Sequence, residues 1–137
     1  MTPIADTGPL IALLDRDDTH HQWAVETVGT MRSAVVTCEA VIAETLFLCM
    51  RNRVRAEPLF VMLETGAMKV EETLGTTPAA LTRLMRQWEN VPMSLADAGL
   101  VALHQRMPRS FIVTIDSDFT IYRRASGRAL RTLMPRA

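Results

Sequence analysis

Short apolar runs alternate along the chain with stretches whose apolar positions recur every three or four residues, and this alternation predicts strands separated by helices. Residues 3–6 (PIAD) read as a strand leading into a helix over Gly8–Asp15, with a second helix over His20–Met31. Ser33–Thr37 (SAVVT) is the second strand, and Cys38–Arg53 is the helix after it. A helix over Ala56–Glu64 is stopped by Gly66, and Met68–Glu72 (MKVEE) is the third strand. Thr77-Pro78 opens a helix reaching Glu89, with proline at the first helical position, where its missing N–H does no harm. Ser94 caps a helix to about Arg106, Ser110–Asp116 is the fourth strand, and Ala129–Leu133 is the fifth. Strands separated by helices imply an α/β fold: a parallel sheet with right-handed crossovers and helices on both faces. Ligands of such sheets sit beyond the carboxyl ends of the strands, where the strand order reverses.

Composition narrows this picture. At 137 residues and 48% hydrophobic content, without repeats or linkers, residues 1–137 read as one globular domain. A chain of this size buries about 70% of its unfolded surface and needs no disulfide or structural metal to fold. Cys38 and Cys49 lie in apolar surroundings without CxxC or ligand spacing, and are expected in the core of a protein in a reducing cytoplasm. Asp6 interrupts the first apolar run, which argues against a signal peptide, and no apolar stretch is long enough for a bilayer. The formal charge is zero but uneven, with five arginines and no acid between Phe119 and Ala137. Arginine suits phosphate, so Arg123 and Arg124 are candidate contacts to a nucleic acid. A merely solvated basic face is the alternative.

The candidate chemistry lies in the acids. The apolar run Phe111–Ile115 stops on Asp116 and Asp118, in the stretch VTIDSDF. Asp6 ends the first strand in the same way, so the two carboxylates face one crevice if those strands are neighbours. Glu44 is the one charge between Ala40 and Met50, in a window apolar enough to be buried, where an unpaired carboxylate is costly; facing solvent on an amphipathic helix is the alternative. Glu39 is five residues away, roughly 140° around the helix, so only one of the two can face the crevice. Ser94-Leu95-Ala96-Asp97 has the form of a capping box, which also places a carboxylate in a first helical turn at the crevice rim.

Taken in order, Asp6-Thr7-Gly8-Pro9, Glu44 after the second strand, Asp97-Ala98 and Thr114-Ile115-Asp116-Ser117-Asp118-Phe119 resemble the PIN-domain family, most closely the VapC-type toxins of bacterial toxin–antitoxin pairs. The resemblance covers essentially the whole chain. It implies a three-layer α/β/α fold, a five-stranded parallel sheet ordered 3-2-1-4-5, and endoribonuclease activity dependent on Mg2+ or Mn2+. The family's acids map to Asp6, Glu44, Asp97 and Asp116, with Asp6, Asp97 and Asp116 on the metal side. Asp118 maps to an auxiliary acid, and Thr114 and Thr7 to hydroxyl positions near the site. It further implies an RNA substrate, a cognate antitoxin and a homodimer.

The chemistry agrees, because hard divalent ions take oxygen ligands and activate water for attack on phosphodiesters. His20, His21 and His104 lack ligand spacing and read as surface or packing residues, with His20 able to line the rim. Met50, Phe60, Met62, Met68, Met85 and Trp88 are candidates either for an adaptable partner surface or for the core. A receiver domain would want an aspartate after the third strand, where Glu71 and Glu72 stand, and a phosphatase would want DxD after the first. The stronger rival is a PIN-like module that binds RNA or protein without cutting.

Overall fold

The computed structural model describes residues 1–136. Its chain order is β1 (Thr2–Ala5), α1 (Thr7–Leu14), α2 (His21–Gly29), β2 (Val35–Cys38), α3 (Glu39–Arg51) and α4 (Glu57–Thr65). There follow β3 (Met68–Glu71), α5 (Pro78–Gln87), α6 (Leu95–Arg106), β4 (Ser110–Val113), a 3-10 turn (Ser117–Thr120) and β5 (Thr132–Leu133). All five strands are parallel, in the order β3-β2-β1-β4-β5 expected from the resemblance.

Burial explains which runs became inner strands. Every residue of β2 is buried, and β1 and β4 are nearly so, as strands covered by helices on both faces must be. The edge strand β3 buries only Met68 and turns Lys69, Val70 and Glu71 outward. Helices α1, α2 and α4 cover the face that carries Pro3, Ala5, Val35, Met68 and Val113. The right-handed crossover from β3 to β4 sends α5 and α6 to the other face. Gly99 lets α6 approach β2, for a Cβ there would lie 2.8 Å from Cys38 Sγ. Gly66, at φ 82°, closes α4 in the left-handed conformation that favours glycine.

Two strand ends fall short of expectation, each for a local reason. β4 ends at Val113, because the Thr114 hydroxyl accepts the Asp116 N–H and bends the chain off the sheet. β5 keeps only Thr132 and Leu133: Arg131 N–H is taken by His104 Nε2, and Arg123 and Ala129 close a turn through an isolated antiparallel bridge.

Both cysteines are buried and free, as expected. Met68 belongs to the core, Met62, Met85 and Trp88 pack partly buried against it, and Met50 and Phe60 are exposed. Among the described residues no helix is long and apolar enough to cross a membrane.

Candidate active site

The central position of β1 builds the site. Asp6 and Asp116 follow adjacent parallel strands, and Thr114 ties them together. Asp6 Oδ1 accepts the Thr7 N–H at 2.8 Å and caps α1, while Oδ2 accepts the Thr114 hydroxyl at 2.7 Å. The same Thr114 oxygen accepts the Asp116 N–H at 3.0 Å, and Asp116 Oδ1 accepts the Asp118 N–H at 2.9 Å. Asp116 is therefore both a turn cap and a cleft residue. Thr114 is buried between them, a closer role than proximity to the site.

Asp97 enters from α6 through the expected capping box. Its N–H donates to Ser94 Oγ at 3.0 Å, and its Oδ2 accepts the Ser94 N–H at 3.1 Å. Tyr122 Oη lies 3.4 Å from the same oxygen and 3.1 Å from the Pro92 carbonyl. These contacts all use Oδ2, so Oδ1 remains for the cleft.

Asp6, Glu44, Asp97 and Asp116 together line one cleft of about 420 Å³, with Thr7, Gly8, Asp18 and His20 at its walls. Glu44 takes the solvent-facing alternative: its side chain is exposed on α3, at the lip of the cleft. Glu39, as its angle required, lines a separate cavity with Glu71 and Glu72.

The charges crowd each other. Burial, then the carboxylates of Asp97 and Asp116, raise the Asp6 pKa to about 6 against the hydrogen bonds from Thr114 and Thr7. Asp97 is raised by burial and by Asp116, against its Ser94 bonds. Glu44 is raised by burial and by Asp97 and Asp116. Such a set invites a cation. The donor set is all oxygen, as a hard divalent ion prefers, and the buried Thr7 hydroxyl makes no hydrogen bond of good geometry among the described residues, though it lies close enough to Glu44 to hold that pKa down in part. No three acidic, histidine or cysteine side chains among the described residues form a ready-made ligand set. Mg2+ commonly uses one or two carboxylates and keeps its waters, so the residues present fit it.

Several contributors escaped sequence reasoning. Asp18 holds His20 at the cleft wall by accepting its N–H at 2.8 Å, and Tyr122 braces Asp97. The aspartate-rich 15–18 segment was the available signal for the first; nothing local marked the second. Asp118 is absent from the cleft lining, and its backbone N–H, not its carboxylate, is what Asp116 uses. Arg123 and Arg124 part company and neither lines the acidic cleft. Arg123 donates through Nη1 to the carbonyls of Thr120, Ile121 and Tyr122, whereas Arg124 lies close enough to His104 to lower its pKa. His21 pins α2 to α1 through the Ala12 carbonyl.

Comparison with known proteins agrees with this geometry. The crystal structure of VapC20 from Mycobacterium tuberculosis, a sarcin–ricin loop cleaving toxin, is similar with a TM-score of 0.75. The likeness covers 95% of this chain and 99% of that one at 23% identity, and at that identity it speaks for the fold. No match is found among curated proteins. The profile of the PIN domain, however, matches residues 4–125, the span that carries Asp6, Glu44, Asp97 and Asp116, and the chain therefore belongs to the PIN-domain family.

Proposed function

We propose that this protein is an endoribonuclease dependent on Mg2+ or Mn2+ and the toxin of a toxin–antitoxin pair. The observation that carries the reading is the convergence of Asp6, Glu44, Asp97 and Asp116, from four separate segments, on one cleft at the carboxyl ends of β1 and β4. Asp6, Asp97 and Asp116 hold the ion. When bound, it lowers the pKa of its water and offsets charge on the phosphoryl group in transfer. Glu44, exposed at the lip with a raised pKa, orients the attacking water and takes its proton. Thr114 keeps Asp6 and Asp116 in register, and Tyr122 and Ser94 fix Asp97. The toxin assignment is supported by the similarity to VapC20.

The partners follow from the same reading. Phe47 and Met50 on α3 and Phe60 and Val61 on α4 are exposed apolar side chains, a surface suited to an antitoxin segment. The active form is a cytoplasmic homodimer. The test is incubation of total RNA with the wild type, Asp6→Asn and Asp116→Asn, in Mg2+, Mn2+ or chelator. Discrete fragments are expected only from the wild type with metal. Cutting that persists in both variants, or in chelator, removes the assignment.

A further inference from the structure

A second cavity, of about 400 Å³, opens along the face built by α5 and α6. Arg83 and Gln87 of α5, Gln105 and Arg106 of α6, and Arg123 from the segment after the 3-10 turn line it, and none of its lining residues is acidic. Three separate elements thus bring three guanidinium groups to one groove. Two of them are fixed through one nitrogen each: Arg106 Nη2 donates to the Glu72 carbonyl at 3.1 Å, and Arg123 Nη1 to the Thr120 carbonyl at 2.7 Å. Their remaining N–H groups are left for an acceptor. Gln105 uses its Oε1 to accept the Ala125 N–H at 2.8 Å, so it too offers the groove its donors. A concave wall of fixed donors with excess positive charge favours a polyanion, and the planar guanidinium fork matches phosphate oxygens.

The groove is also connected to the acidic cleft. Asp97 and Gln105 are eight residues apart on α6, about 12 Å along its axis. Tyr122 reaches Asp97 with its hydroxyl, while its neighbour Arg123 lines the groove. The two cavities share no lining residue, and α6 and the Tyr122–Arg123 segment are what join them.

We propose that the α5–α6 groove is an RNA-backbone site, in which Arg83, Arg106 and Arg123 hold phosphodiesters of the substrate strand a few nucleotides from the bond that is cut. The identity of the ligand as RNA rests on the ribonuclease reading; the groove and its charge do not. The test is binding of a labelled single-stranded RNA, long enough to span cleft and groove, measured by anisotropy in chelator across a KCl series. The variants are Arg83→Gln, the double variant Arg83→Gln/Arg106→Gln, and Arg86→Gln, an exposed arginine of α5 outside the groove. Each lost phosphate contact lowers the slope of log K against log salt by about 0.7, so the double variant is expected to fall by about 1.4 and Arg86→Gln to match the wild type. Arg83→Gln alone, at an exposed position, carries the test if the double variant melts early.

An unchanged slope in Arg83→Gln, or an equal fall in Arg86→Gln, overturns the proposal while leaving metal-dependent cleavage intact. The expected slopes without any cleavage keep the groove and sink the nuclease reading instead. If the double variant loses binding to poly-glutamate but not to RNA, the groove belongs to an acidic protein and the proposal fails.

Discussion

The cleft turns on a single hydroxyl. Thr114 is buried, gives its proton to Asp6 and accepts the N–H of Asp116, so one side chain sets the distance between two acids that meet across adjacent strands. Thr114→Val keeps the shape and removes both bonds. Asp6 then loses the hydrogen bond that most holds its pKa down, and the acid limb of the pH–rate profile moves to higher pH, with Thr114→Ser restoring it. An unmoved limb in Thr114→Val would show that Asp6 is not the group titrating. Asp116→Asn tests the like-charge cluster: its side chain is exposed and an amide oxygen still accepts the Asp118 N–H, so without metal it melts at or above the wild-type temperature. Added Mg2+ or Mn2+ then stabilises the wild type more than the variant. A variant that melts clearly lower in chelator, and gains the full metal shift, returns Asp116 to the role of an ordinary turn residue. The acids themselves were legible in the sequence because each interrupts an apolar run. Tyr122 and Asp18 were not, because a bracing contact leaves no periodic trace.

At the scale of elements, α6 does two jobs from opposite ends. Its capped amino end presents Asp97, and its middle packs against the sheet through Gly99 and Leu100. Gly99→Ala places a Cβ 2.8 Å from Cys38 Sγ and is expected to cost about 1–3 kcal/mol by overpacking, measured by urea denaturation. Cys38→Ala in the same background should recover part of that loss if the contact is the cause. Hydrophobic patterning located α6 and every other α-helix and strand but not the 3-10 turn, since buried strands and amphipathic helices differ in period. It missed where β4 stops and β5 starts, because those ends are set by the Thr114 hydroxyl and by His104 Nε2 reaching Arg131, bonds that join residues distant in sequence or side chain to backbone. The choice between a buried and a solvent-facing Glu44 was not legible either, because an apolar window can belong to a helix whose outward face keeps Phe47 and Met50 exposed.

Across the whole molecule two buried groups titrate against one another. The Asp6 pKa is raised to about 6, so the folded state retains a proton that the unfolded chain has released. Its contribution to stability is full below pH 3.8 and is lost as pH rises through 6. His104 runs the other way. Burial first, then Arg124 and Arg131, bring its pKa down to about 4, and its contribution is full above pH 6.5 and lost as pH falls through 4. Each of these two shifts corresponds to about 3 kcal/mol and their slopes oppose one another between pH 4 and 6, with Asp97 and Glu44, also raised, adding to the carboxylate side. Asp6→Asn exposes the histidine slope, with stability rising with pH, and His104→Gln exposes the carboxylate slope, with stability falling. Identical profiles for the two variants in denaturant titrations would sink this account.

The insertion of β1 between β2 and β4 also has a consequence in time. Asp6 leaves the ribosome 108 positions ahead of its Thr114 partner, and Asp116 comes later still. Synthesis from the amino end therefore yields a nascent chain that carries all six α-helices but cannot close its cleft until the segment after β4 is free. For a protein that cuts RNA, this is a form of self-restraint: it stays harmless to the message and the ribosome that are making it. Chains stalled with Thr114 still inside the exit tunnel are expected to leave their own transcript whole, and released chains to cut it. Cleavage by the stalled chains would show that the cleft works without its last-made wall.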